Sequence, residues 1–172
     1  MVYSPKRSNK KAFWITLALF IIAAGCFLSS AVLPYAAVLQ LAAIICVTLG
    51  IQITQKYLLT DYEYSFSSET DDYGNTATTL TVIKLQGRRS TVMCNLGVNH
   101  RCRIVADKPI KELEATYGKI NFRYDFCVDI KPKKAYTVIL DFRGDKAALK
   151  LQCDEEFAKA FSNAIPGEEE DI

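Results

Sequence analysis

From Ala12 to Gln55 the chain carries no Asp, Glu, Lys, Arg or His. About 20 apolar residues at 1.5 Å each cross a hydrocarbon core of about 30 Å, so this run holds two crossings and a tight turn. The pattern predicts helices over about 12–33 and 35–54, with Pro34 at the reversal, because proline lacks an N–H and disfavours helix at the residue before it. Helices of a soluble protein normally keep a charged face, and these have none. Trp14 near one boundary and Tyr35 near the other match the interfacial preference of amphipathic rings.

After Lys56 the period changes from helical to two-residue alternation. Tyr57 to Ser67, Thr78 to Gln86, Ser90–Leu96, Arg101–Ala106, Lys119–Ile130, Ala135–Arg143 and Lys146–Cys153 are expected as strands. Leu80, Val82 and Leu85 are candidate core residues. The turn region over 67–76 has its expected tip at Gly74-Asn75, and Gly87-Arg88-Arg89 and Arg143-Gly144-Asp145 are expected reversals. A short helix capped by Asp107 should end at Gly118. A last helix starts after Asp154, with Glu155 and Glu156 in its first turn and an apolar stripe of Phe157, Ala160, Phe161, Ala164 and Ile165. Pro166-Gly167 should stop it before an acidic tail over 167–172. The expected organisation is thus a basic N-terminal segment (1–11), a helical hairpin (12–55), a β-rich domain (56–166) and the tail.

This order of strands closed by a C-terminal helix, with Tyr57-Leu58-Leu59-Thr60-Asp61 beginning a strand directly after a membrane span and Gly87-Arg88-Arg89 forming a hairpin, resembles the bacterial pleckstrin-homology-like (PH-like) domain family. The resemblance covers about residues 57–165. It implies a membrane α-helical hairpin plus a mainly β (α+β), partly open barrel of about seven antiparallel strands capped by the C-terminal helix. It also implies a domain displayed at a bacterial cytoplasmic membrane.

Composition sharpens this picture. The 172 residues are 50% hydrophobic with a net charge of +2, which excludes a largely disordered chain. Lys6, Arg7, Lys10 and Lys11 precede the first span, Lys56 follows the second, and the turn between them has no cation. The positive-inside rule then puts both termini in the cytoplasm. The part after Gln55 is close to neutral. Cys94, Cys102, Cys127 and Cys153 are irregularly spaced, as reduced thiols in a reducing compartment would be. Ala23-Ala24-Gly25-Cys26 has the small-residue run of a lipobox but lacks its leucine and a polar tether, so lipidation is not expected.

Three candidate sites follow. Lys84, Arg88 and Arg89, with Arg101 and Arg103 as possible additions, form a basic edge. Facing an anionic leaflet, it would contribute about 1 kcal/mol per cation. In phosphoinositide-binding relatives of the fold, the cations come from the first two strands and their loop, but here that loop, over 69–72, is acidic. Lys131-Pro132-Lys133-Lys134 is expected to be a solvated hairpin tip. Cys94, His100 and Cys102 could hold a metal or act as a thiol–imidazole pair. Their Cys-x5-His-x-Cys spacing lacks the short paired ligands of zinc sites, and the chain has one histidine. The third candidate is the hairpin, where Ala42, Ala43, Cys46 and Gly50 recur at about one-turn spacing beside Gln40, an amide that needs a partner in lipid.

No phosphate loop, nucleophile elbow or second histidine is present, so enzyme activity and a cofactor are not expected. The expectation is a non-enzymatic interaction or scaffolding module at the membrane. Its partners would be membrane lipids, another membrane protein or a second copy, and not nucleic acid. The alternatives are a lipid-binding barrel and a thiol- or metal-dependent activity.

Overall fold

A computed structural model of the protein describes residues 1–8, 10–70, 76–98, 101–142 and 145–165. The chain divides into two compact units: Arg7–Thr60, and Met1–Lys6 together with the described residues from Asp61 onward.

The first unit is a helical hairpin. Helix α1 spans Lys10–Ser29 and α2 spans Ala36–Ile53, and both are long and apolar enough to cross a membrane. Pro34 lies in their connection, as its chemistry requires. Small residues bring the helices together: Ala12, Thr16, Ala23, Ala43 and Gly50 are buried. A Cβ at position 50 would stand 3.3 Å from Cζ of Phe20, so the ring packs closely over the glycine and would have to give by a few tenths of an ångström to admit a side chain. Gln40 remains exposed. Beyond α2 the chain makes one wider, π-type turn over Thr54–Leu58, closed by the Leu59 N–H on the Thr54 carbonyl at 3.0 Å. Tyr57 and Leu58 therefore extend the helix and do not begin the strand expected of them. Local β preference yields here to continued backbone hydrogen bonding at the end of an apolar helix. Arg7 clasps the two ends of the hairpin, donating to the carbonyls of Leu58 at 2.5 Å and Thr60 at 2.8 Å.

The described residues of the second unit form eight strands. Val2–Tyr3 (β1), Thr60–Thr70 (β2), Thr76–Gln86 (β3) and Arg89–Val98 (β4) form one sheet in the order β1-β2-β3-β4. Arg103–Ala106 (β5), Phe122–Asp125 (β6), Tyr136–Phe142 (β7) and Asp145–Leu151 (β8) form the other, in the order β5-β7-β8-β6. Helix α3 spans Ile110–Tyr117 and helix α4 spans Glu155–Asn163. The protein is thus a mixed α+β chain, with two sheets and four α-helices among the described residues.

Four expectations require correction. The described residues of the expected β domain hold seven strands, β2 to β8, as anticipated, but they are not all antiparallel, because β6 runs parallel to β8. The expected strand over 119–130 shrinks to Phe122–Asp125, since Gln152 takes over the backbone beyond it. Its Oε1 accepts from the N–H groups of Val128 (3.2 Å) and Asp129 (3.0 Å), and its amide donates to the Asp129 carboxylate (3.0 Å). Leu85 is half-exposed whereas Leu80 and Val82 are fully buried. Positions 80 and 82 share a face and position 85 has the opposite parity. Asp107 does not cap α3, whose N-cap is Pro109. The Asp107 carboxylate instead accepts from Lys150 Nζ at 2.5 Å and from Thr137 Oγ1 at 3.4 Å. The strand Val2–Tyr3 was not announced by any pattern. The tip at Gly74-Asn75 and the Pro166-Gly167 stop with its tail lie outside the described residues.

The two sheets share one core: Tyr62 and Tyr64 of β2, Leu80 and Val82 of β3, Val138 and Leu140 of β7, Leu149 and Leu151 of β8, with Phe157 and Phe161 of α4. A smaller cluster of Leu113, Ile120, Ile139 and Ala148 seats α3 on the outer face of the second sheet. Gly118, at φ 85°, ends that helix where an L side chain would be strained. At the other helix Asp154 caps α4, accepting from the Phe157 N–H at 2.8 Å.

Phe161 should tolerate no charge. In Phe161→Asp an unpaired carboxylate would replace a fully buried ring, at a cost comparable to a domain's whole stability, and circular dichroism should show the β unit unfolded. Asp154→Ala should cost about 1 kcal/mol and lower the melting midpoint by a few degrees. Wild-type melting of both variants would overturn this account of α4.

Candidate functional site: the open seam between two sheet edges

A two-sheet fold has two seams. One is closed by α4, which lies beside β5, while the Phe157 ring meets Tyr3 of β1 at 5.2 Å and Phe66 of β2 at 5.5 Å. The other lies between β4, the last strand of the first sheet, and β6, the last strand of the second. No helix among the described residues covers it.

A cleft of about 350 Å³ occupies this open seam. Met93, Cys94, Leu96 and Gly97 of β4 form one wall, and Phe122 and Tyr124 of β6 form the other. Cys102, Phe126, Leu140, Ala147 and Leu149 lie between them. Local geometry explains why β4 contributes so much. Val82 pairs with Cys94 but Ile83 pairs with Val92, which leaves Met93 as an extra residue. Such a bulge re-aims side chains, and here Met93 and Cys94 both line the cleft. On the opposite wall alternation gives Phe122 and Tyr124 to the cleft. Arg123 instead donates to Glu114 of α3 at 2.8 Å. The Tyr124 ring stacks on Phe126 at a centroid distance of 6.1 Å and an interplanar angle of 6°.

This seam carries the β unit's exposed apolar surface. Met93, Phe122 and Tyr124, which line the cleft, are 47, 51 and 50% exposed, and Val92, next to Met93 in β4, is 59% exposed. Among the described residues of the unit, the other large apolar side chains so exposed are Met1 and Val2, on the first sheet's opposite edge. Contiguous exposed apolar surface rimmed by polar groups marks interaction sites. The polar groups here are Asp141 and Asp145, and the described lining includes no cation.

The sequence-derived candidates are placed as follows. Lys84 stands near the end of β3, Arg88 in the turn and Arg89 at the start of β4, with both arginines exposed. Gly87, at φ 59°, gives that turn its left-handed residue. No ion pair engages these three cations among the described residues. Arg103 belongs to the second sheet and donates to the Cys102 carbonyl at 3.0 Å, so it does not extend the basic edge of the first. Cys94 and Cys102 come together on the cleft, whereas His100 lies outside the described residues. No cluster of three or more potential metal ligands exists among the described residues. The cleft itself was missed in the sequence reading. Its available signals were two apolar residues in succession at Val92-Met93 and a glycine inside a strand.

Electrostatics disfavours thiol chemistry. Burial pushes the Cys94 thiol up, eased in part by a backbone hydrogen bond from Val82. Burial, reinforced by Asp154, pushes Cys153 up to about 12, and burial with Asp125 drives Cys127 well above the ordinary range. Raised values mean less thiolate near neutrality, and thiolate is the nucleophile. Comparison with known protein families, curated proteins and solved structures found no match.

Residue-resolved alkylation with iodoacetamide tests this environment. Cys94 should react slowly at pH 7.5 and faster as pH rises above 9, while Cys127 and Cys153 should react after denaturation and not before. Fast labelling of Cys94 at neutral pH would reveal an activated thiol and contradict the burial argument.

Proposed function

We propose that this protein is a non-enzymatic, membrane-tethered interaction module. In this reading α1 and α2 cross the bacterial cytoplasmic membrane as a hairpin, and a PH-like β domain is displayed on the cytoplasmic side. The carrying observation is that β1, before the first helix, pairs with β2, after the second. Val2 is opposite Ser65 and Tyr3 is opposite Tyr64. The chain thus leaves one folded unit and returns to it, so two crossings satisfy the connectivity and one does not.

The exposed faces of both helices support the reading. Trp14, Ile21, Phe27, Leu28, Val38, Leu41 and Ile44 are all at least half exposed, a surface suited to lipid and costly in water. The cations flanking the run favour the cytoplasmic side for both ends. Lys84, Arg88 and Arg89 supply a basic edge for an anionic leaflet. The functional surface is the open seam, whose apolar, two-edged cleft suits a partner protein better than a reaction.

Topology is testable by thiol labelling in a variant in which the six native cysteines are replaced by alanine. With Leu33→Cys added, a membrane-impermeant maleimide should label intact spheroplasts, and with Arg88→Cys it should label only after permeabilisation. Equal labelling of both before permeabilisation, or the reverse pattern, would overturn the hairpin topology.

A further inference from the structure

We infer that the open seam binds an extended segment of a partner protein, which adds as a strand to the free edge of β4 and puts apolar side chains into the cleft. This deepens the interaction-module reading and rests on it.

Three observations select a peptide. The first is hydrogen-bonding capacity. β4 is ten residues long and pairs through one edge, and β6 likewise ends its sheet, so the cleft is flanked by outer-edge main-chain donors and acceptors that pair with no other strand among the described residues. A peptide backbone offers the same groups in return, whereas an acyl chain offers none. The second is Gly97. It lines the cleft, its φ lies outside the left-handed region, and a Cβ built there would meet nothing within 4 Å. Neither strain nor internal packing therefore calls for glycine at this position, which weakens the strand that carries it. Glycine within a strand suits the close approach of another backbone. The third is charge. The described lining includes two carboxylates, Asp141 and Asp145, and no cation. A fatty-acid carboxylate or lipid phosphate would meet repulsion there, while a lysine or arginine at one end of an apolar segment would be attracted. The expected ligand is an extended segment with apolar residues at alternate positions and a basic residue at one end.

The test pans a phage-displayed library of random 12-residue peptides on the immobilised full chain in mild detergent. Enriched peptides should alternate apolar and polar residues and carry a basic terminus. The best of them, added as a synthetic peptide, should slow amide hydrogen exchange across residues 90–98. Its affinity should fall at least tenfold when alternate amides are N-methylated. Gly97→Val and Phe122→Lys should each weaken binding at least tenfold. Both positions are open to solvent or cleft, so melting midpoints should stay at or above wild type for the first and close to it for the second.

No enrichment over the Gly97→Val protein, or binding without protection of 90–98, would overturn the proposal. Dodecanoate displacing the peptide, with N-methylation having no effect, would make the seam an acyl pocket and also overturn it. A homodimer in native mass spectrometry that Gly97→Val converts to monomer would assign the edge to a second copy, with the same consequence. The assay does not require a bilayer. A failed topology experiment with intact peptide binding would therefore remove the membrane reading alone, and the converse result would remove the seam proposal alone.

Discussion

The architecture depends on one return of the chain to the sheet it left. The Met1 amino group donates to the Phe66 carbonyl at 2.7 Å, and the Phe66 N–H donates to the Met1 carbonyl at 3.0 Å. Tyr3 then lays its ring 6.3 Å from Tyr64 and 5.2 Å from Phe157. These contacts bury an aromatic side chain from a segment that would otherwise be a solvated tail, and they close the seam beside α4. At the ends of the helical unit Arg7 holds the carbonyls of Leu58 and Thr60, which have no helical partners.

Inside the β unit the two sheets are locked by a phenol. Tyr64, fully buried in β2, donates through its hydroxyl to the Phe126 carbonyl at 2.7 Å and accepts from the Gln152 N–H at 3.3 Å. Burial drives its ionisation far above the ordinary tyrosine range, so it remains a neutral donor. Gln152 in turn fixes residues 128 and 129. This network replaces strand pairing beyond Asp125 and leaves β6 only four residues long. A short β6 cannot meet β4 along its length, and the cleft is the space that remains.

The apolar helices were legible because charge was missing over a length that only a membrane or a large core could accept. α4 was legible because capping, dipole and stripe all agreed at Asp154, Glu155, Glu156, Phe157 and Phe161. The alternating strands were largely readable, but their ends were not. Tyr57 and Leu58 have good strand chemistry yet extend a helix, and Val2–Tyr3 is too short to show a period. The parallel placement of β6 against β8 depends on where a 10-residue irregular segment folds back, and no local pattern encodes that. The basic turn was visible as a motif. The cleft was not, because its lining comes from both edge strands, from β7 and β8, and from Cys102, and pairing order alone brings these together. The bulge at Met93 is a register event between two strands, and its mark in the sequence is no more than the break in alternation at Val92-Met93.

The contrast between the two seams carries the functional argument. Natural sheets protect their edges with short strands, charges, proline or a covering helix. At the closed seam this chain uses α4 and the Tyr3 ring. At the open seam β4 has Arg89 at one end, followed by an exposed Val92-Met93 pair, a bulge and a glycine, while β6 presents Phe122 and Tyr124 at about half exposure. The bulge limits unwanted edge-to-edge pairing over part of β4, since an inserted residue breaks the ladder's spacing. The stretch beyond it, through Leu96 and Gly97, keeps regular pairing with β3 and so offers regular spacing on its outer edge. The edge is therefore guarded at one end and usable at the other. That asymmetry fits a surface selective for one kind of partner better than it fits a defect that folding failed to cover.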